Sequence, residues 1–482
     1  MKDVNIDKSI VISSLKWKFV ERFFSQIAGL VVQIVLARLL LPEDFGSLAI
    51  IAAIVNYLGI FVQSGLSAAV IQKKKLAESD VSTLITCSLM IALVMYIGLF
   101  IGAPYVSRYY DMPGLTWPIR VLGVGLFLSA LNSVQTGILT RQMRFKTLFL
   151  RSAVAIPLSG FVGIVMAYLG FGIWALVAHT LLNTLIIIIF MNMLPDLRIS
   201  FGFCYQRAKE IYSFSLKILM TNLISGFGDT VRTMSIGKKY TAGDLAFYDK
   251  AYTYSHMVTN MVNSTVSGVL LPTFSRKQDD ILTLKAMSRR SIGLSSYVMI
   301  PCLAIVMLIA YPLIELLLTE KWLPCVPYMT IFCLLRMPGC ITSVDRQVFL
   351  ALGKSQIGLY YEIFILIANL IMLFITIPMG VMSIAFGALT VELIGSLTVF
   401  IISSFVYKYT LLERLKDLLP TVIITSIMYF TVNLLPVDSL PSFAEIIVKV
   451  LLAVVIYIAL SAISRNNNLK YTISLLIYRH KK

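Results

Sequence analysis

Apolar residues run along this chain in stretches of about twenty, the length a helix needs to cross roughly 30 Å of hydrocarbon. About fourteen such stretches recur from end to end. The first six are Phe19 to Leu41, Phe45 to Ile71, Val81 to Ala103, Trp117 to Leu139, Leu148 to Tyr168 and Ile173 to Leu194. Six more follow: Ile211 to Ile236, Leu245 to Leu271, Ile292 to Leu318, Val326 to Leu350, Ile357 to Ile377 and Met382 to Tyr407. Leu418 to Leu435 and Ala444 to Ile463 form a final pair. Backbone groups in lipid must be satisfied within their own segment, and the alternating pattern of barrel strands is absent. The spacing therefore predicts an all-α integral membrane protein. The first stretch is too long for a signal peptide, carries Glu21, Arg22 and Arg38, and lacks a small-residue cleavage site, so it stays in the protein.

Polar residues interrupt some spans at helical spacing. In span one, Arg22, Gln26, Gly29 and Gln33 fall on one face; in span seven, Lys217, Thr221, Ser225, Asp229 and Arg232 do the same. Span two offers Asn56, Gln63 and Ser67, and span eight offers Tyr252, His256, Asn260, Asn263 and Ser267. These four stripes could line one shared central cavity. Polar side chains are also common glue between membrane helices, which is the alternative for each Gln, Asn, Ser and Thr.

An offset of 200 aligns the first two spans with the seventh and eighth. Arg38 falls on Lys238, Asp44 on Asp244, Asn56 on His256, Gln63 on Asn263 and Ser67 on Ser267. Six is even, so both halves start on the same side and the repeat is parallel. The implied order is a cytoplasmic N-terminal segment (1–18), a six-helix bundle (19–194), a linker (195–210), a second six-helix bundle (211–407), an extra helix pair (408–463) and a basic tail (464–482).

Composition sharpens this picture. The chain is 58% hydrophobic and 13% charged, with mean hydropathy +0.86, against about 25% charged in soluble domains, so no soluble domain fits between the spans. A net charge of +17 is of the size nucleic-acid binders carry, but its distribution points to topology. Under the fourteen-span reading, 28 of the 41 Lys and Arg lie in the N-terminus, every second loop and the tail, and 5 in the opposite loops. By the positive-inside rule both termini and the Lys73 to Lys75 loop are cytoplasmic. No nucleic-acid partner is implied.

That count of loops and tails leaves over eight basic residues, all within spans: Arg22, Arg120, Lys217, Arg232, Lys250, Arg336, Arg346 and Lys449. A charge at the bilayer centre costs about 2.5–3.5 kcal/mol on insertion scales, so these residues are functional candidates. Snorkelling is the alternative for Arg22, Lys217 and Arg232, and Lys449 reads as a snorkelling flank. For Asp345 and Arg346 an internal ion pair without a ligand role is the alternative. Glu362 and Glu392 are candidates for ion or proton coupling, with pairing to Arg336 or Arg346 as the alternative. Asp229 is placed to pair with Arg232 or with a coupling cation.

Enzyme signatures are absent. Gly353-Lys354-Ser355 resembles the end of a P-loop, but Val348 occupies the first glycine position. There is no HExxH, no GxSxG, and no metal-ligand spacing among the six cysteines, so neither cofactor nor metal is expected.

VLARLLLPEDFG from Val35, GLSAAVIQKK from Gly65, LPTFSRKQDD from Leu271, EKWLPCVP from Glu320 and LGKSQ from Leu352 resemble the Wzx-type polysaccharide flippases, particularly the colanic-acid-exporter branch. The resemblance spans about Ser13 to Tyr407. It implies the multidrug/oligosaccharidyl-lipid/polysaccharide exporter fold and a bacterial inner-membrane flippase working by alternating access. It further implies an undecaprenyl-pyrophosphate-linked oligosaccharide as substrate, for capsule, exopolysaccharide or O-antigen, with polysaccharide polymerase machinery as partner. Basic residues in a polar cavity suit pyrophosphate. Lys217 and Arg232 lead as substrate contacts, followed by Arg22 and Arg346, with Gln26, Gln33, His256 and Asn263 beside them. A multidrug exporter of the same superfamily, or a membrane-embedded glycosyltransferase, is the competing reading; short outer loops disfavour the transferase.

Overall fold

The computed structural model describes residues 8–63, 70, 77–194, 197, 199, 201–437, 440–466 and 468–469. Among them the chain is helical throughout, without strands. Contacts divide it into two units, Met1–Ala246 and Phe247–Lys482.

The first unit contains α1 (Lys8–Leu39), α2 (Pro42–Gln63), α3 (Glu78–Tyr109), α4 (Thr116–Gly123), α5 (Gly125–Arg141), α6 (Phe145–Tyr168), α7 (Ile173–Asn192) and α8 (Tyr205–Lys239). Span four is thus two helices, interrupted at Val124 between two glycines. α6 packs against α1 and α7, α5 against α3, and α2 against α5 and α8. Small residues allow the close approach that membrane helices need in place of a hydrophobic driving force. A Cβ on Gly160 would lie 2.5 Å from Val32 Cγ2, and one on Gly46 would lie 1.7 Å from the carbonyl oxygen of Ala242.

α9 (Ala242–Ser275) leads into the second unit, which continues with α10 (Ile281–Leu308), α11 (Ala310–Leu318), α12 (Val326–Ala351), α13 (Ser355–Thr376), α14 (Val381–Val406), α15 (Leu411–Asn433) and α16 (Ser442–Ile463). Span nine is also divided: α10 stops at Leu308, and Pro312 sits in the first turn of α11, where its missing N–H costs nothing. α12 packs against α10 and α14, and α14 against α13. The extra pair docks onto this group, α15 on α10 and α16 on α11 and α15. Tyr457 Oη donates to the Tyr297 carbonyl at 2.8 Å within their shared core with Met428, Val432 and Ala453.

Twelve helical stretches among the described residues, α4 and α5 together counted as one, are long and apolar enough to span a membrane. Predicted spans seven and eight are continuous helices, α8 and α9, whose polar stripes keep them apart from those twelve. The offset of 200 recurs in helix bounds and caps. α1 ends at Leu39 and α8 at Lys239; α2 begins at Pro42 and α9 at Ala242. Asp44 Oδ2 accepts from the Leu41 N–H at 3.2 Å, and Asp244 Oδ2 accepts from the Thr241 N–H at 3.2 Å. Both carboxylates satisfy a donor that a helix N-terminus leaves open.

Several expected pairings are corrected. Asp345 does not pair with Arg346, because adjacent residues on a helix point in different directions. It binds Arg414 instead, at 2.8 Å, while Arg346 binds Glu362 at 3.0 Å, the pairing given above as the alternative to a coupling role for that carboxylate. Arg414, assigned by charge pattern to a loop, lies inside α15 at 1% exposure. Arg151, which the charge count sets with the loops although it falls just inside the bounds of span five, lies inside α6 and donates to Asn132 Oδ1 at 3.1 Å and Thr136 Oγ1 at 2.9 Å. Lys449 does not snorkel: it is buried on α16 and bonded to Glu445 Oε1, one turn back, at 2.5 Å.

Candidate functional site

Each unit carries its own polar group. In the first unit, α1 presents Arg22 and Gln33 on an exposed surface, with Gln26 half-buried between them. No atom comes within 4 Å of where a Gly29 side chain would begin, so this face of α1 is open. Asn56 and Gln63 of α2 are exposed as well. On α8, Arg232 donates to Asp229 one turn earlier, as the spacing anticipates, and Asp229 remains 60% exposed. Lys217 lies on the same helix, but its side chain is outside the described residues, as is that of Asn263 on α9.

The second unit gathers its charges where α12, α13 and α14 converge. Arg346 pairs with Glu362, and its guanidinium carbon stands 4.9 Å above the Tyr361 ring. Glu392 reaches in from α14 and lies within electrostatic range of Arg336, Arg346 and Glu362. The Arg336 guanidinium rests 4.5 Å from the Tyr252 ring centre, and its Nε and Nη2 are buried without a hydrogen-bond partner. Tyr252 in turn stacks on His256 and meets Phe332 edge-on. Asn260 Nδ2 lies 2.7 Å from His256 Nδ1, fixing the ring on α9.

Of the residues chosen from sequence, the structure thus brings Arg346, Glu362 and Glu392 together and pairs Asp229 with Arg232. Arg22, Gln26 and Gln33 share one face of α1, and His256 belongs to an aromatic cluster with Arg336. Arg336 was counted among the intramembrane cations but not ranked as a contact. A cation whose donors are buried and idle is well suited to an anion, since leaving such groups unmet costs about 1–3 kcal/mol each. No group of side chains that could hold a metal occurs among the described residues.

Residues 35–327 match the family model described as "Polysaccharide biosynthesis protein". The chain is similar to the succinoglycan biosynthesis transport protein ExoT of Rhizobium meliloti (strain 1021), 25% identical over 67% of this chain and 65% of that protein, just under two thirds of its length. It is 20% identical to the teichuronic acid biosynthesis protein TuaB of Bacillus subtilis (strain 168), over 77% of each chain. It is also 21% identical to the lipopolysaccharide biosynthesis protein WzxC of Escherichia coli (strain K12), over 80% of this chain and 79% of the other. Among solved structures, the lipid II flippase MurJ shares the fold at TM-score 0.76 and 16% identity, covering 92% of this chain and 97% of MurJ. An inward-facing multidrug resistance MATE family transporter shares it at TM-score 0.62, covering 80% and 96%.

Proposed function

Because the chain belongs to the polysaccharide biosynthesis protein family, whose model covers residues 35–327, we propose that it carries a lipid-linked oligosaccharide across the bilayer for assembly of a surface polysaccharide. It acts as a flippase and catalyses no covalent step. The observation that carries this reading is the coincidence of a flippase-type fold with relatives named for the biosynthesis or transport of bacterial polysaccharides. The substrate class is undecaprenyl-pyrophosphate-linked oligosaccharide, moved from the cytoplasmic to the outer leaflet of the inner membrane by alternating access. Polymerase machinery takes up the product.

The anionic pyrophosphate must be neutralised while it leaves water, and cations held in polar stripes serve that purpose. We assign this role first to Lys217 and Arg232, then to Arg22 and Arg346, with Gln26, Gln33, His256 and Asn263 as neutral contacts. Asp229, Glu362 and Glu392 are assigned to ion or proton coupling, Glu392 foremost because Glu362 already pairs with Arg346. If Glu392→Gln keeps full transport and an unchanged pH dependence, coupling does not run through that residue.

Deleting the gene from its bacterium should cause lipid-linked oligosaccharide to accumulate and surface polysaccharide to fall, with recovery when the chain is supplied again. Normal export without accumulation would overturn the reading. The orientation is tested separately: a cysteine placed between Lys73 and Lys75 should resist a membrane-impermeant thiol reagent in intact cells, and ready labelling would reverse it.

A further inference from the structure

Where α10 and α15 begin and α16 ends, the second unit holds a half-open cavity of about 570 Å³. Its lining includes four cations, Arg289, Arg290, Lys416 and Arg465, and one carboxylate, Asp417. That carboxylate is fully engaged. Arg289 donates to Oδ2 from Nε and to Oδ1 from Nη2, each at 2.7 Å, and Tyr409 Oη donates to Oδ2 at 2.7 Å. Its charge is thus committed to Arg289, and it offsets little of what Lys416 and Arg465 bring. Asn466 supplies a second feature: its Oδ1 accepts the Asn468 N–H at 2.9 Å, while its Nδ2 is buried with no hydrogen-bond partner. A positive rim with an idle donor beside it suits an anion rich in acceptor oxygens, and phosphate is the common one.

The surroundings distinguish the source of that phosphate. Leu412, Leu415 and Leu419 follow one face of α15 and are 64%, 53% and 52% exposed, and Ile463, next to the cavity-lining segment, is 78% exposed. Acyl chains attached to a phosphate in the cavity can lie along these side chains; a free phosphate gains nothing from them. Basic pockets between spans on the cytoplasmic side are suited to anionic headgroups, and the charge distribution places this end in the cytoplasm. We propose that the cavity between the starts of α10 and α15 and the end of α16 is a binding site for the headgroup phosphate of an anionic phospholipid of the cytoplasmic leaflet.

The test is native mass spectrometry of the full-length protein in detergent, titrated with phosphatidylglycerol and, separately, with zwitterionic phosphatidylcholine. Phosphatidylglycerol should be retained in preference, and Lys416→Gln with Arg465→Gln should lower its retention about tenfold. Lys416→Arg with Arg465→Lys should keep the preference, showing that the loss follows charge rather than damage to the fold. Unchanged retention in the Gln pair, or equal loss in the charge-conserving pair, overturns the proposal. Displacement of phosphatidylglycerol by equimolar glycerol phosphate also overturns it, since the site then takes soluble phosphate. None of these readouts involves transport, so this proposal and the flippase reading fail independently.

Discussion

In the first unit, Arg22 of α1 turns outward and Arg151 of α6 is buried with hydrogen bonds to the neutral side chains of Asn132 and Thr136. In the second, Arg414 is buried against Asp345 and Lys449 against Glu445. The difference separates two uses of charge in a bilayer. A cation matched by a carboxylate within the same packed group offers little to a ligand and mainly fixes helix positions. A cation facing an open surface, or satisfied only by neutral dipoles, keeps its field available to an anion. By that measure Asp345–Arg414 is a clamp for the extra helix pair, whereas Arg22, exposed on α1, keeps the availability that the proposed substrate role needs.

The clamp gives the largest expected effect. Arg414 donates to both Asp345 oxygens and to Ser403 Oγ at 2.7 Å; Tyr407 donates to Asp345, and the Phe400 and Tyr409 rings each lie 4.3 Å from the guanidinium carbon. Arg414→Ala strands a buried carboxylate, which costs about 3–5 kcal/mol. Thermal unfolding of the purified protein should show a large drop in midpoint. Arg414→Met with Asp345→Leu should recover much of the loss, because neither charge is then left alone. A wild-type midpoint for Arg414→Ala would erase the distinction between the units.

The clamp also shows where sequence reading stopped. Long apolar stretches located the helices, because lipid leaves a spanning chain few alternatives. Hydropathy placed the start of span thirteen at Leu418, whereas α15 begins at Leu411. The missing signal was local: Thr410 and Glu413 form a capping box, Thr410 Oγ1 accepting the Glu413 N–H at 3.4 Å and Glu413 Oε2 accepting the Thr410 N–H at 3.0 Å. Reading that box would have drawn Arg414 into the helix. Glu445 and Lys449 were likewise legible as a pair four residues apart. The partner of Asp345 was not, because it lies 69 residues away and depends on how α12 meets α15. The converging charges of α12, α13 and α14 were visible as residue types, but their grouping follows from helix rotation, which spacing alone does not set.

The second effect concerns transport with stability held constant. Lys217 lies on α8 with Asp229 and Arg232, on the stripe assigned to the substrate headgroup. A charge-assisted hydrogen bond contributes about 1.5–3 kcal/mol, so Lys217→Ala should slow export by about ten- to a hundredfold at matched abundance. Lys217→Arg should retain more activity, and neither should shift the unfolding midpoint as Arg414→Ala does. Equal, near-wild-type export in both variants would remove Lys217 from the pathway and return it to the snorkelling class.

The smallest effect tests whether exposure, rather than pairing itself, sets the contribution of these contacts. Lys238, at the end of α8, binds Asp111 at 2.9 Å and lies 4.9 Å from the Tyr109 ring centre, yet the two side chains are 38% and 84% exposed. The bond is about as short as that between Arg414 and Asp345, so distance alone would rank them together. Water changes the ranking: exposed pairs contribute about 0–1 kcal/mol and weaken further with salt. A double-mutant cycle with Lys238→Ala and Asp111→Ala should therefore give a coupling of at most about 1 kcal/mol that fades in high salt. The corresponding cycle for Arg414 and Asp345 should be several times larger and insensitive to salt. Comparable, salt-independent couplings for the two pairs would mean that the end of α8 is as dry as the interior of the second unit, and Lys238–Asp111 would then join the clamps.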